Sequence, residues 1–341
     1  MNMIELLNTI RDNASADYQA RIPEANRTNV EDIRYAMIDS DNINVANEFM
    51  STLLNKMVKA VVHTKRFNNP LKSLKRGTKP LGDSVEEIYT NFLKGQNFNS
   101  DSGASLMQRN LPDTKTVYHR MNYKQTYKVT VSREALSKAF ASYEALESYV
   151  TSLINTLNNS AELDEFLNMK QVLKSAYDKK AMKVVKIADP LTSEANGKEF
   201  IKTVKTTSGL MCFPNADFNG YLTAQNTDNK PITTFSRKNE QVLILDTATD
   251  TSVAVDVLAS TFNMSVADFN DTRKVVIDVF PIPGARAALV DEAFFQIWDD
   301  LMTFANWRNP ESLYDNYYLH IWQTIAYSIL VNAVLFEVEA A

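Results

Sequence analysis

The sequence predicts an α+β fold organised on one very long helix, and three observations carry that prediction. From Arg133 to about Lys179 there is no Gly or Pro, and apolar side chains recur at steps of mostly three or four (Leu136, Phe140, Tyr143, Leu146, Val150, Leu153, Leu157, Ala161). That spacing lines one side of an α-helix. From Val117 to Val131 the period falls to two, with Val117, His119, Met121, Tyr123, Tyr127, Val129 and Val131 on one face and Tyr118, Arg120, Lys124, Thr126, Lys128 and Thr130 on the other. From Tyr317 to Val338 an apolar run also alternates, through Leu319, Ile321, Ile325, Tyr327, Ile329, Val331, Ala333 and Leu335.

The helix comes first. Ser132 stands where an N-cap belongs, and about 45 residues would span roughly 65 Å. The polar step Asn158-Asn159-Ser160 is the one place where a bend or split is expected. At roughly 3.3 Å per residue, a C-terminal strand of about 20 residues matches that length. A long helix packed on long strands is the expected frame, with a helix still open for the first half of 317–338. Gln323, Thr324, Ser328 and Asn332 interrupt the run and argue against a membrane span.

Composition bounds the rest. The chain has 341 residues, enough for two or three linked subdomains. Its net charge of -5 is no nucleic-acid signature. One cysteine, Cys212, excludes an intramolecular disulfide framework and suits a reducing compartment. No basic stretch precedes an apolar one at the N-terminus, so no signal peptide is expected. Only 8 glycines argue against glycine-rich phosphate loops.

In chain order, residues 1–44 read as an arm with one short helix, and Asn47–His63 as an amphipathic helix. Between Phe49 and Gly82 lie Lys56, Lys59, Lys65, Arg66, Lys72, Lys75, Arg76 and Lys79 with no acid. Such a run suits a nucleic-acid or acidic-partner contact, and equally a solvated face. Asp83–Leu93 is the expected partner strand of 117–131, with a polar tip at 94–113. A two-stranded ribbon leaves one face wet, so a neighbouring subunit is a candidate for covering it. Residues 181–300 alternate short elements: strands at 183–187, 242–245, 275–280 and 288–297, and helices at 196–207 and 253–262. This is an α/β or α+β subdomain.

The chemistry-bearing residues form no site. His63, His119 and His320 share no ligand-type spacing, and Cys212 sits between Met211 and Phe213 as a small hydrophobe. Asp246, Asp250 and Asp256 miss the calcium-loop spacing. Tyr314, Tyr317, Tyr318 and Trp322 suit base stacking or, more simply, an aromatic cluster beside the strand. No catalytic residue, metal ligand or cofactor is assigned.

The run from Phe67 to Thr90 (Phe-Asn-Asn-Pro-Leu-Lys-Ser-Leu-Lys-Arg-Gly-Thr-Lys-Pro-Leu-Gly-Asp-Ser-Val-Glu-Glu-Ile-Tyr-Thr) resembles the corresponding segment of major capsid proteins of small podoviruses of the phi-29 group. So do Ser160–Glu165, Asp256–Met264 and Arg308–Thr324. The likeness runs in order over nearly the whole chain. It implies the Hong Kong 97-type fold, with an N-terminal arm and helix at 1–60 and a basic loop and E-loop ribbon at 61–132. It further implies a peripheral domain with spine helix at 133–180 and 285–341, and an axial domain at 181–284. Some relatives add an immunoglobulin-like domain, and neither that nor a long cleaved N-terminal domain is expected here. The implied role is a non-enzymatic shell subunit of the virion, assembled in the host cytoplasm into hexamers and pentamers around double-stranded DNA. Scaffolding and portal proteins are the implied partners, and no membrane is involved. An encapsulin-like compartment shell is the alternative. Lys72, Lys75, Arg76, Tyr123 and Tyr127 are the candidate assembly contacts. Opposite charge on 49–82 and on 287–341, where eight acids face one base, suggests pairing between subunits.

Overall fold

The computed structural model describes residues 3–29, 32–33, 36, 45, 48–49, 67–95, 97, 109–132, 143–224, 230–253, 273–309 and 314–339. The elements are helices α1 (Met3–Asp12) and α2 (Ala16–Arg21), then strands β1 (Gly77–Thr78), β2 (Val85–Thr90), β3 (Thr114–His119) and β4 (Tyr123–Ser132). Next come the long helix α3 (Tyr143–Asp178), β5 (Lys183–Ile187), α4 (Glu194–Met211), α5 (Tyr221–Ala224), β6 (Gln241–Asp246) and α6 (Thr247–Ser252). Strands β7 (Arg273–Ile277), β8 (Ala285–Asp291), β9 (Phe295–Asn309), β10 (Tyr314–Tyr327) and β11 (Ala333–Val338) complete the series. The helices expected at 47–63 and 253–262 fall almost wholly outside the described residues, as do positions 133–142 of the long helix.

The helix α3 has 36 residues, about 54 Å at 1.5 Å each. It runs unbroken through Asn158-Asn159-Ser160, where a bend was expected. Ser160 Oγ donates to the Thr156 carbonyl at 2.7 Å, so its hydroxyl folds back on the preceding turn. Asn159 Oδ1 accepts the Phe67 N–H at 3.0 Å, which takes its amide off the helix. At the far end Lys180 adopts φ 56. The Ala181 N–H reaches the Ala176 carbonyl at 2.7 Å and the Lys180 N–H the Tyr177 carbonyl at 2.9 Å. That pair of bonds is a Schellman stop with a lysine in the left-handed position.

Two long strands of the sequence reading are each two strands. The alternation over 117–131 continues on both sides of Asn122, but β3 pairs with β2 while β4 belongs to a different sheet. Asn122 makes the switch. Its Nδ2 donates to the Ile325 carbonyl at 2.8 Å and its Oδ1 accepts the Ile325 N–H at 2.8 Å, so the side chain stands in for a peptide unit. The run 317–338 breaks in the same way after Tyr327. Ser328 Oγ accepts the Leu330 N–H at 3.1 Å and turns the chain into β11. The strand expected at 288–297 is interrupted by a 3-10 turn, Glu292–Phe294, capped by Asp291.

The chain divides into two compact units. One comprises residues 1–69, 123–165 and 301–322. In it Leu7, Ile10, Tyr18 and Ile22 of the arm pack with Val131, Leu157, Tyr317 and Leu319. Helices α1 and α2 of the arm thus contribute to a core of their own chain.

The other unit comprises 70–122, 166–300 and 323–341. Its centre is a five-stranded mixed sheet in the order β5-β11-β8-β6-β7. Strand β6 is buried at every position, so it reads as a continuous apolar run and not as an alternation. One face (Leu243, Leu245, Ala287, Leu289, Phe336) meets Phe200, Val204 and Met211 of α4. The other (Val242, Ile244, Ala288, Val290, Leu335) meets Phe166, Met169 and Leu173 of α3. The result is a helix–sheet–helix sandwich.

Gly220 closes this unit beside the end of α3. A Cβ there would lie 2.3 Å from the Ala181 carbonyl oxygen and 2.6 Å from its Cα. Both are backbone atoms and neither can swing away. Gly220→Ala should cost about 1–3 kcal/mol or more through overpacking, read as a lower melting temperature. An unchanged melting curve would mean that the backbone relaxes freely at this junction.

Candidate assembly surface

The ribbon β2–β3 is built from alternating residues, and its register pairs Glu86 with Tyr118 and Ile88 with Thr116. One face is docked on its own chain. Tyr89 donates its hydroxyl to the Thr233 carbonyl. Asn91 Oδ1 accepts the Thr233 N–H at 3.0 Å. Lys115 Nζ lies 5.6 Å from the centroid of the Tyr221 ring, and His119 Nε2 is 3.0 Å from Glu87 Oε2. Alternation alone leaves this face without a support. Irregular segment 230–235 supplies the support, and no periodicity could have announced it. The opposite face is exposed, with Ile88 and Tyr118 each 60% accessible, and beyond the strands Phe92, Leu93 and Leu111 are exposed as well.

The basic candidates part company. Lys75 Nζ pairs with Asp299 Oδ1 at 2.8 Å. Its neighbour in the run, Lys79, pairs with Asp300 Oδ1 at 2.8 Å with almost no exposure on either side chain. Opposite charges of 49–82 and 287–341 therefore meet at these two places within one chain. Lys72 and Arg76 are exposed, and Lys56, Lys59, Lys65 and Arg66 lie outside the described residues.

Tyr123 and Tyr127 are half-buried. Tyr127 donates its hydroxyl to Asp164 Oδ2 of α3 at 2.8 Å, and the Tyr123 hydroxyl is 3.5 Å away. Burial pushes the Tyr127 hydroxyl well above the usual tyrosine range, helped by the Tyr123 and Asp164 contacts. The Tyr127 ring thus belongs to the core of its own unit, and Tyr123 meets it through its hydroxyl.

No arrangement for catalysis is evident among these groups. His119 is held by Glu87, and His320 Nδ1 lies 2.9 Å from Thr126 Oγ1. Among the described residues no group of three or more His, Cys, Asp or Glu side chains could hold a metal ion, and no helix is long and apolar enough to cross a membrane.

A family model described as the Phi29-like phage major capsid protein matches residues 7–337. The chain belongs to that family. The major capsid protein of Bacillus phage PZA is 33% identical over 333 residues, covering 97% of this chain and 72% of that protein. The major capsid protein of Streptococcus phage Cp-1 is 28% identical over 352 residues, covering 99% of this chain and 95% of that one. Among solved structures, the capsid of Staphylococcus phage Andhra superposes with a TM-score of 0.64 at 12% identity, over 82% of this chain and 87% of that one. A chain in the structure of the head fiber and inner core protein of native bacteriophage P68 gives 0.64 at 14% identity, over 82% and 86%. The fold of this phage major capsid protein is the Hong Kong 97 type.

Proposed function

We infer that this major capsid protein is the principal shell subunit of a tailed phage, closing into hexamers and pentamers around double-stranded DNA. Scaffolding and portal proteins would join it during assembly in the host cytoplasm. The family match over residues 7–337 carries the reading. In it, α3 is the spine, the five-stranded sheet the centre of the axial domain, and β2–β3 the E-loop.

Contacts between copies fall to surfaces that stay exposed on the single chain. The outward face of the ribbon is one, because Ile88 and Tyr118 expose apolar area that soluble proteins keep small. Lys72 and Arg76 are the second. Lys75, Tyr123 and Tyr127 hold internal partners, so substitutions there report on folding as well as on assembly.

The test uses Ile88→Ser with Tyr118→Ser. Exposed substitutions change stability by under about 0.5 kcal/mol, so the circular dichroism melt should match that of the parent. Negative-stain microscopy should find few or no closed particles, and nuclease-protected DNA should fall with them. Normal yields of filled particles would remove the ribbon from the assembly contacts.

A further inference from the structure

Strands β4 and β10 are neighbours in the four-stranded sheet β1-β9-β10-β4, and their two faces differ sharply. Inward, Tyr127, Val129, Val131, Tyr317, Leu319 and Ile321 join a core cluster. Outward, the side chains meet across the strands in four rungs. Lys124 Nζ lies 4.5 Å from the centroid of the Trp322 ring and Lys128 Nζ 5.8 Å from that of Tyr318. Between them Thr126 meets His320 at 2.9 Å, and beyond them the Thr130 hydroxyl donates to Asn316 Oδ1 at 2.7 Å. The Tyr318 and His320 rings stack at 6.2 Å with an interplanar angle of 15°.

These eight positions hold two lysines, a histidine, two other aromatic rings and no acid, in a chain of net charge -5. The simplest account is that lysine stems cover the rings and the face is merely wet. That account needs neither the absence of acids nor the flat stacked rings. A protein partner would call for exposed apolar area, whereas the outermost groups here are Lys124, Thr126, Lys128 and Thr130, all exposed. Cations spaced along a strand, above flat rings with π-faces, match a chain of phosphates that carries flat bases.

We propose that this face binds nucleic acid, through phosphate contacts at Lys124 and Lys128 and ring contacts at Tyr318, His320 and Trp322. The proposal goes beyond the shell function, because a subunit can enclose a genome without touching it. Binding by these groups is independent of base sequence, since phosphates and π-faces are common to every nucleotide.

The experiment titrates the full-length unassembled chain into a fluorescently labelled DNA duplex and into a labelled single strand of equal length, following anisotropy at several salt concentrations. Lys124→Glu/Lys128→Glu is compared with Lys198→Glu/Lys202→Glu, which makes the same charge change on the exposed side of α4. The first pair should weaken binding at least tenfold and the second less than twofold. Two lost phosphate contacts at about 0.9 each should also flatten the logarithmic salt dependence by about 1.8. Lys124→Gln/Lys128→Gln provides the same comparison if the Glu pair fails to fold. Tyr318→Leu should weaken the single strand several-fold more than the duplex. Absence of binding by the parent, or equal losses for both lysine pairs, overturns the proposal. So do Lys124/Lys128 variants that bind normally but no longer assemble, because the face is then covered by a second copy.

Discussion

Lys79→Met should destabilise the unassembled chain by about 3–5 kcal/mol, the usual cost of leaving one member of a buried ion pair without its partner. The Asp300 side chain is 0% exposed and Lys79 6% exposed, with Nζ 2.8 Å from Oδ1. The amine also donates to the Asp83 carbonyl. Once it is gone, Asp300 keeps, among the described residues, the Thr324 hydroxyl, 2.9 Å from its other oxygen. Urea denaturation reads the loss as a lower midpoint. Lys79→Met/Asp300→Leu should recover much of it, since a well-packed apolar pair often replaces a buried ionic one without penalty. Additive single and double losses would show that the two charges do not act on each other. A Lys79→Met loss under about 0.5 kcal/mol would show that water reaches Asp300.

Leu153→Pro should have a comparable effect on the spine. Proline at this interior position of α3 deletes the N–H that bonds the Tyr149 carbonyl and sets its ring against that carbonyl, at about 3 kcal/mol or more. It also removes a half-buried side chain that packs against the cluster containing Leu157 and Tyr317. Insoluble protein is the expected result, while Leu153→Ala should stay soluble with a lower melting point. Fully assembled particles from the proline variant would mean that α3 need not be continuous.

The helix was legible because its signal is local: an apolar step of three or four and no Gly or Pro from Arg133 to Lys179. Strands β3 and β4 were legible as extended chain for the same reason. Their separation was not, since alternation by two looks the same whichever strand lies alongside. Asn122 was the one available sign, a turn-favouring amide inside an alternating run. Ser328 and Asn332 stand out in the sequence as polar interruptions, but their partners, Phe294 and Asn219, lie far off in sequence. The same distance hid the partners of the candidate contacts. Lys75 and Asp299 are 224 residues apart, and the Tyr127 hydroxyl finds Asp164 only when β4 lies on α3. Charge runs and aromatic spacing identify which residues have something to bind. They do not tell an internal partner from an external one.

Gly77 and Thr78 run parallel to Trp298 and Asp299, and the N–H groups of Arg76 and Lys79 reach the Ile297 and Asp299 carbonyls at 2.9 and 3.0 Å. This short β1 occupies one border of the four-stranded sheet, and the lysine pairs at Asp299 and Asp300 bolt it there. Open sheet borders recruit strands from other chains indiscriminately. A shell subunit must accumulate in large numbers before it is built into particles, the condition under which such recruitment is most damaging. The two-residue strand takes up the ladder groups of β9 at Trp298 and Asp299, so an incoming strand cannot pair there. Loosening it should therefore appear as amorphous aggregate in concentrated stocks, at temperatures where the individual chain is still folded.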